Sequence, residues 1–174
     1  GKGIPGVTLD VLKENGEMVK PGETGEIVAS GRNIMMGYWG KEGDTRQVLR
    51  DGKLFTGDLA TVDEDGYIHI VGRGKEMIKS GAHRIAPREI EEVILKHPTV
   101  LEAAVVGQPD DILGELICSF VILKDGQNCT VKDLMHFCHD NLPLYKMPKV
   151  IHFVQSFPKT DSGKIKKEEL KKLL

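Results

Sequence analysis

The chain has almost no net charge: 24 basic residues against 26 acidic ones leave −2 at neutral pH. It therefore lacks the electrostatic footprint of a nucleic-acid-binding protein. No apolar run approaches the length of a membrane span, and no signal-peptide pattern opens the sequence. Cysteine is sparse. Cys118, Cys129 and Cys138 are odd in number and widely spaced, which argues against a disulfide framework and for a reducing, cytoplasmic setting. There is no internal repeat, no low-complexity tract and no Ser/His/Asp constellation with a readable spacing. A phosphate-cradling P-loop is missing, because Gly163-Lys164 is followed by isoleucine and lacks the upstream glycine. Gly1-Lys2-Gly3-Ile4-Pro5-Gly6 formally matches a dinucleotide fingerprint. It fails on context: no strand precedes it, Pro5 interrupts it, and a strand-like run follows where a helix should open.

What is present is ordinary globular material. The sequence is 40% hydrophobic and 29% charged over 174 residues, enough for one medium domain or two small ones. Residues 1–74 read as all-β, with short β-prone runs at 8–12, 25–30, 54–61 and 67–71. Turn signals separate them, among them Lys20-Pro21-Gly22 and Arg50-Asp51-Gly52, and Asn15-Gly16 and Asp65-Gly66 are typical hairpin connections whose central positions tolerate positive φ. This part buries little by itself and resembles a piece of a barrel or sandwich. From Lys75 the pattern alternates helix and strand. Pro87 opens a helix with carboxylates in its first turn and Ile90, Val93 and Ile94 on one face. Nearly continuous apolar runs at 100–107 and 116–123 predict buried strands, and Thr130 with Asp133 predicts a helix start. A strand at 150–154 and a last helix at 165–174 complete an α+β half covering residues 75–174.

A few segments carry candidate chemistry. Ser162-Gly163-Lys164 puts one lysine at a turn tip, because Gly163 accepts the positive φ such a turn needs. A lone ammonium there suits an anionic site formed elsewhere; a solvated, frayed terminus is the plain alternative. The tail is locally basic, with Lys159, Lys164, Lys166, Lys167, Lys171 and Lys172 facing only Asp161, Glu168 and Glu169. In Phe55-Thr56-Gly57-Asp58-Leu59 a carboxylate follows a glycine at the end of a β-run, where it can accept two hydrogen bonds at once from a diol, or simply terminate the strand. Gly72-Arg73-Gly74-Lys75 and Lys79-Ser80-Gly81-Ala82-His83-Arg84 are glycine-rich and cationic, fit for a phosphate or carboxylate, or for a solvated linker and hairpin turn. His136, Cys138 and His139 crowd one helix but match no zinc spacing, so core packing is expected of Cys138 and no metal site is assigned. Met35, Met36, Tyr38 and Trp39 are expected to pack under a loop, with an aromatic lid as the other reading.

Taken in order, these segments resemble the C-terminal third of the acyl-adenylate-forming superfamily, which includes acyl-CoA synthetases, peptide-synthetase adenylation domains and beetle luciferases. The matching stretches are Gly22-Glu23-Thr24-Gly25-Glu26-Ile27 through Gly37-Tyr38-Trp39, then Phe55-Thr56-Gly57-Asp58-Leu59, then Gly72-Arg73 through Glu91. Leu142-Pro143-Leu144-Tyr145-Lys146-Met147-Pro148 and Pro158 through Lys164 follow. The resemblance implies a β-barrel-like subdomain (1–74) ending a large N-terminal domain, followed by a mobile α+β lid domain (75–174). It implies that Asp58 binds ATP ribose hydroxyls, Arg73 the same nucleotide region and Arg84 the phosphate. Lys75 would be the hinge, and Gly81, Ala82 and His83 would line the pantetheine channel. Lys164 would be the catalytic lysine of adenylation. The Thr160-x-Ser162-Gly163-Lys164-Ile165 form looks like an acid–CoA ligase, whereas peptide synthetases usually carry Asn-Gly-Lys there; Lys167 stands where arginine is frequent. ATP, Mg2+ and CoA are implied, with Mg2+ held mainly outside these residues. The implied partners are an N-terminal AMP-binding domain, a carboxylic (fatty) acid, and CoA or a carrier phosphopantetheine. A carrier-loading ligase and a non-catalytic module derived from the family are the alternatives. The superfamily's glycine/serine-rich phosphate loop and its adenine-binding motif are not in the sequence, so a fragment of a longer enzyme is expected.

Overall fold

The computed structural model describes residues 1–174, which divide into two units, Gly1–Lys75 and Glu76–Leu174. The fold is α+β. No helix is long and apolar enough to cross a membrane.

The first unit is a five-stranded antiparallel sheet of β1 (Val7–Leu12), β2 (Thr24–Gly31), β3 (Leu49–Arg50), β4 (Lys53–Val62) and β5 (Ile68–Arg73). Strand β2 lies between β1 and β4, and the far edge of β4 is shared: β3 pairs with Lys53 and Leu54, β5 with 58–62. Phe55, Thr56 and Gly57 have no strand beside them on that edge. Asp51 (φ 49°) and Gly52 (φ 73°) are both left-handed, as a tight β3–β4 hairpin turn requires. Val11, Ile27 and Ala60 are the buried centre, flanked by Leu9, Val19, Val62 and Ile68. This small core fits the expectation that the β-rich part buries little alone. Helix α1 (Glu42–Val48) was not legible in the sequence, because it buries no residue and so has no apolar stripe.

In the second unit, β8 (Val100–Asp110) and β9 (Gly114–Leu123) form a long antiparallel hairpin. Strand β10 (Val150–Phe153) lies parallel on the other edge of β9. Strands β6 (Ile78–Ser80) and β7 (His83–Ile85) make a small hairpin joined to β9 at Ser80 and Gly114. Both faces of the sheet are covered. Ala103, Val105, Ile117 and Val121 meet Ile90 and Ile94 of α2 (Pro87–Ile94) and Leu134 and Cys138 of α3 (Val131–Asn141). The alternate residues Ala104, Val106, Cys118 and Phe120 meet Phe157 and Leu170. Two-sided cover explains why these strands read as continuous apolar runs rather than alternating ones. Leu134 and Leu170 are fully buried, each contributing about 1.5–3 kcal/mol of hydrophobic stabilisation. Burial pushes the thiols of Cys118 and Cys138 up to about 11, so neither is a nucleophile or a ready metal ligand at neutral pH.

Helix α3 begins with a capping box. The Thr130 hydroxyl accepts the Asp133 N–H (3.2 Å), and the Asp133 carboxylate accepts the Thr130 N–H (3.1 Å). The Thr130 hydroxyl also donates to the Asp133 carboxylate (2.6 Å), and this bond together with the Thr130 N–H holds the carboxyl of Asp133 below its usual range.

The last helix is shorter than expected. Only α4 (Lys167–Leu170) is α-helical, continued by a 3₁₀ turn over Lys171–Leu173, because Leu170 is the one residue it buries. Ahead of it the chain makes a tight reversal. Gly163 N–H donates to the Thr160 carbonyl (2.8 Å), Thr160 N–H to the Lys164 carbonyl (2.8 Å), and Lys159 bridges Ile165. Gly163 sits at φ 80°, the left-handed position that closes such a turn.

Replacing Thr130 with alanine removes one half of the capping box and should cost about 1 kcal/mol in urea unfolding. Gly163→Ala meets no atom within 4 Å, so its cost is backbone strain alone, about 1 kcal/mol locally. Hydrogen exchange at the Thr160 and Lys164 amides should accelerate while the β8 and β9 amides stay protected.

Candidate functional site

Two groups of residues carry the site features, one in each unit. In the first unit the β2–β4 ladder is irregular: Glu26 pairs with Leu59 and Val28 with Phe55, so Ile27 alone opposes Thr56, Gly57 and Asp58. Such a bulge re-aims side chains and needs its own hydrogen bonds. Gly57 adopts φ 74°, and its N–H is taken by the Glu26 carboxylate (2.8 Å). Thr56 donates its hydroxyl to the Ile27 carbonyl (2.8 Å) and accepts the Asp58 N–H (3.1 Å). Across the β4–β5 ladder Asp58 stands opposite Arg73, and the two side chains form an ion pair at 2.9 Å. Beside the bulge, where β3 and β5 leave the edge of β4 open, lies a cleft of about 420 Å³. Arg50, Arg73 and Lys75 give it positive charge, and Tyr38 and Phe55 give it aromatic walls. The guanidinium of Arg50 sits 4.9 Å over the Phe55 ring. Here the structure pairs Asp58 with Arg73, and Arg73 and Lys75 line the cleft, Asp58 standing beside it.

Glu26, Thr56 and Arg50 were not singled out in the sequence. A bulge depends on register between distant strands, and no local pattern announces it. The expectation that the Met35–Trp39 segment packs under a loop is corrected: Met36 is 98% and Trp39 100% exposed, and Tyr38 instead lines the cleft. The segment is neither helix nor strand, so its apolar residues share no face to bury.

In the second unit, Gly81 and Ala82 form the exposed tip of the β6–β7 hairpin, with Gly81 at φ 59° and its N–H bonded to the Leu113 carbonyl (2.8 Å). His83 stacks on Tyr145, ring centroids 4.4 Å apart at 23°. The 3₁₀ turn Leu144–Lys146 that carries Tyr145 is tied to α2 by an ion pair of Lys146 with Glu89. That hydrogen-bonded carboxylate raises the pKa of Lys146. The pair is therefore intact at neutral pH and is lost only as pH rises through the raised value. Arg84 stands opposite Lys79 across the same hairpin.

Lys164 lies on the turn that Gly163 closes. Its side chain is exposed and forms no ion pair, whereas lysines on either side of it do. Before it, Lys159 pairs with Glu102 (2.8 Å). After it, Lys167 pairs with Glu91 (2.6 Å), with Glu76 at 3.7 Å. A solitary cation on a fixed turn can offset developing negative charge on a ligand brought to it. Cys138 is in the core whereas His136 and His139 are exposed beside Asp140, so the three do not converge. No group of three His, Cys, Asp or Glu side chains is disposed to hold a metal ion.

Residues 89–164 match the AMP-binding enzyme C-terminal domain. The chain is 44% identical over 172 residues to feruloyl-CoA synthase of Amycolatopsis sp, covering 98% of this chain and 35% of that protein. It is 42% identical over 158 residues to long-chain-fatty-acid–CoA ligase of Bacillus subtilis (strain 168), covering 91% of this chain and 28% of the relative. Among solved structures, o-succinylbenzoate CoA synthetase (MenE) of Bacillus subtilis, in complex with the acyl-adenylate intermediate OSB-AMP, superposes with a TM-score of 0.92 at 30% identity. That match covers 98% of this chain and 35% of the other. The chain thus spans about a third of the length of the relatives it matches. With a cationic cleft beside a bulged Asp58 in one unit and a lysine turn closing the 89–164 segment in the other, the chain belongs to the acyl-adenylate-forming superfamily and carries its C-terminal domain.

Proposed function

We propose that these residues are the C-terminal portion of an AMP-forming acid–CoA ligase. In the first step a carboxylate oxygen attacks the α-phosphorus of ATP and pyrophosphate leaves. In the second the CoA thiol attacks the acyl carbon, loses its proton, and AMP leaves. The observation that carries this reading is the Lys164 ammonium, exposed and unpaired on a turn whose backbone is fixed at Gly163. In adenylation two anions must approach each other, and one preorganised cation between them lowers the barrier without reorganising at the moment of reaction.

The other roles follow from the same reading. Asp58 accepts the ribose hydroxyls, and its pairing with Arg73 keeps the carboxylate aimed. Arg73 meets the nucleotide and Arg84 its phosphate. Lys75, in the 3₁₀ turn Gly74–Glu76 where the two units meet in sequence, is the pivot. Gly81, Ala82 and His83 border the pantetheine, where the absence of a large side chain at the tip leaves room for a thin arm. Magnesium finds no donor set here: Asp58 is engaged by Arg73 and no carboxylate cluster accompanies it, so no step is assigned to the metal. The acid we assign is a fatty acid, supported by the long-chain-fatty-acid–CoA ligase relative. Feruloyl-CoA synthase, at similar identity, makes an aromatic acid the competitor, and a panel of acids offered to the full-length protein distinguishes them.

In the full-length protein, Lys164→Ala should lower acyl-AMP formation on the order of a hundred- to a thousand-fold, measured by pyrophosphate release. Thioester formation from preformed acyl-AMP should be largely retained; equal loss in both steps would refute the assignment. Residues 1–174 alone, purified and supplied with ATP and acid, should form no acyl-AMP, and mass-spectrometric detection of that product would overturn the fragment reading.

A further inference from the structure

Lys164 is only as well placed as the tail that bears it, and that tail has little to hold it. Helix α4 is four residues long, and between Phe157 and Leu170 no side chain is fully buried. Besides the partial packing of Ile165 and a longer contact of Lys167 to Glu76 (3.7 Å), two close ion pairs fasten this stretch, and both lead to β8. Lys159, five residues before Lys164, reaches Glu102 on β8 itself. Lys167, three residues after it, reaches Glu91 on α2. The same Glu91 oxygen accepts the N–H of Val105 on β8 (2.8 Å). Strand β8 has a neighbour on one side only, so the Val105 N–H would otherwise face away from the sheet unsatisfied.

The second pair is unlike a surface ion pair. The side chains of Lys167 and Glu91 are 20% and 16% exposed, so solvent screens them weakly. The carboxylate is fixed from two sides, by an amide of the sheet and by the ammonium. It transmits the position of β8 to the first residue of α4, and from there to the turn three residues back. Hydrophobic anchoring by Leu170 holds the tail on the sheet but is non-directional; the Lys167–Glu91–Val105 chain is directional.

We propose that Lys167 and Glu91 are positioning residues for adenylation, setting where the Lys164 ammonium sits; the proposal rests on the assignment of Lys164 to that step. Neither touches a substrate. Displacing a catalytic group by about 1 Å can cost on the order of a hundred-fold in rate. A role confined to stability would weaken both half-reactions alike.

The test uses the full-length protein and two variants. Lys167→Met keeps the aliphatic stem and removes the charge. Glu91→Gln keeps an oxygen to accept the Val105 N–H and removes the attraction for Lys167, so it guards against simple misfolding of the first. Each should lower kcat for acyl-AMP formation by roughly 10- to 100-fold with KM for ATP little changed. Thioester formation from preformed acyl-AMP should stay within about twofold, and Lys167→Arg, which restores a cation, should recover most of the loss. Unchanged adenylation, or parallel loss of both steps without rescue by arginine, overturns the positioning role. Lys164→Ala run alongside separates the two ideas: if it spares adenylation the assignment of Lys164 fails, whereas if it abolishes adenylation while Lys167→Met and Glu91→Gln do not, only the positioning role fails.

Discussion

The Glu91 carboxylate is the point on which the second unit turns. One oxygen serves an outward-facing amide of β8 and an ammonium from the tail, so a helix, a strand and the terminal segment share a single anchor. Breaking one member of such a set leaves the other partly desolvated and unpaired, which is why its removal is expected to cost more than a solvent-exposed pair would. The consequences run along the chain. Helix α4 starts where Lys167 is held, Leu170 then fills the face of the sheet opposite α2 and α3, and the reversal at Gly163 is confined between two fastened lysines.

The first unit uses the opposite device. It has no comparable charged anchor in its core, which is Val11, Ile27 and Ala60 with their flanking neighbours, and Val28 and Ala29 buried beside them on β2. Its distinctive geometry is a departure from regular pairing, the bulge at Thr56–Asp58. The groups that the ladder leaves over are taken up by Glu26 and by the Thr56 hydroxyl. A regular strand would alternate Asp58 with its neighbours on the two faces of the sheet. The bulge resets that alternation against β2, while the β4–β5 register sets Asp58 opposite Arg73, beside the one stretch of β4 whose edge is open.

These two devices differ in how far they can be read from sequence. The Gly163 turn, the Thr130–Asp133 capping box and the start of α2 at Pro87 are local: a residue type meets a need a few positions away, so the pattern is visible in the string. Strands β8 and β9 were legible because both faces are buried, and an unbroken apolar run of strand length fits little except a two-sided core. Asp58 and Arg73 were each noticed, but their pairing was not, since it depends on the β4–β5 register. The Glu91–Lys167 pair joins two residues far apart in the chain, of polar types that any surface could carry. Helix α1 and the exposed Trp39 failed for another reason: a short helix with no buried face and an aromatic that packs on nothing both break the rule that apolar pattern reports structure.

The charges of the tail act on Lys164 more than on stability. Exposed ion pairs contribute about 0–1 kcal/mol each, so those of Lys159, Lys166 and Lys171 hold the fold only weakly. Yet Lys159, Lys166, Lys167 and Lys171 each have a carboxylate, whereas Lys164 and, in the last turn, Lys172 have none. The effect on Lys164 is twofold. Each pair occupies a carboxylate that a flexible lysine could otherwise find, and each keeps the backbone from moving Lys164 toward one. An ammonium already neutralised within the protein would have to break that contact before meeting an incoming anion, and that cost would add to the barrier. Kept apart, Lys164 meets its ligand with its full charge. Around the Gly163 turn the basic tail is therefore better understood as keeping Lys164 free of the carboxylates near it than as a patch of positive charge.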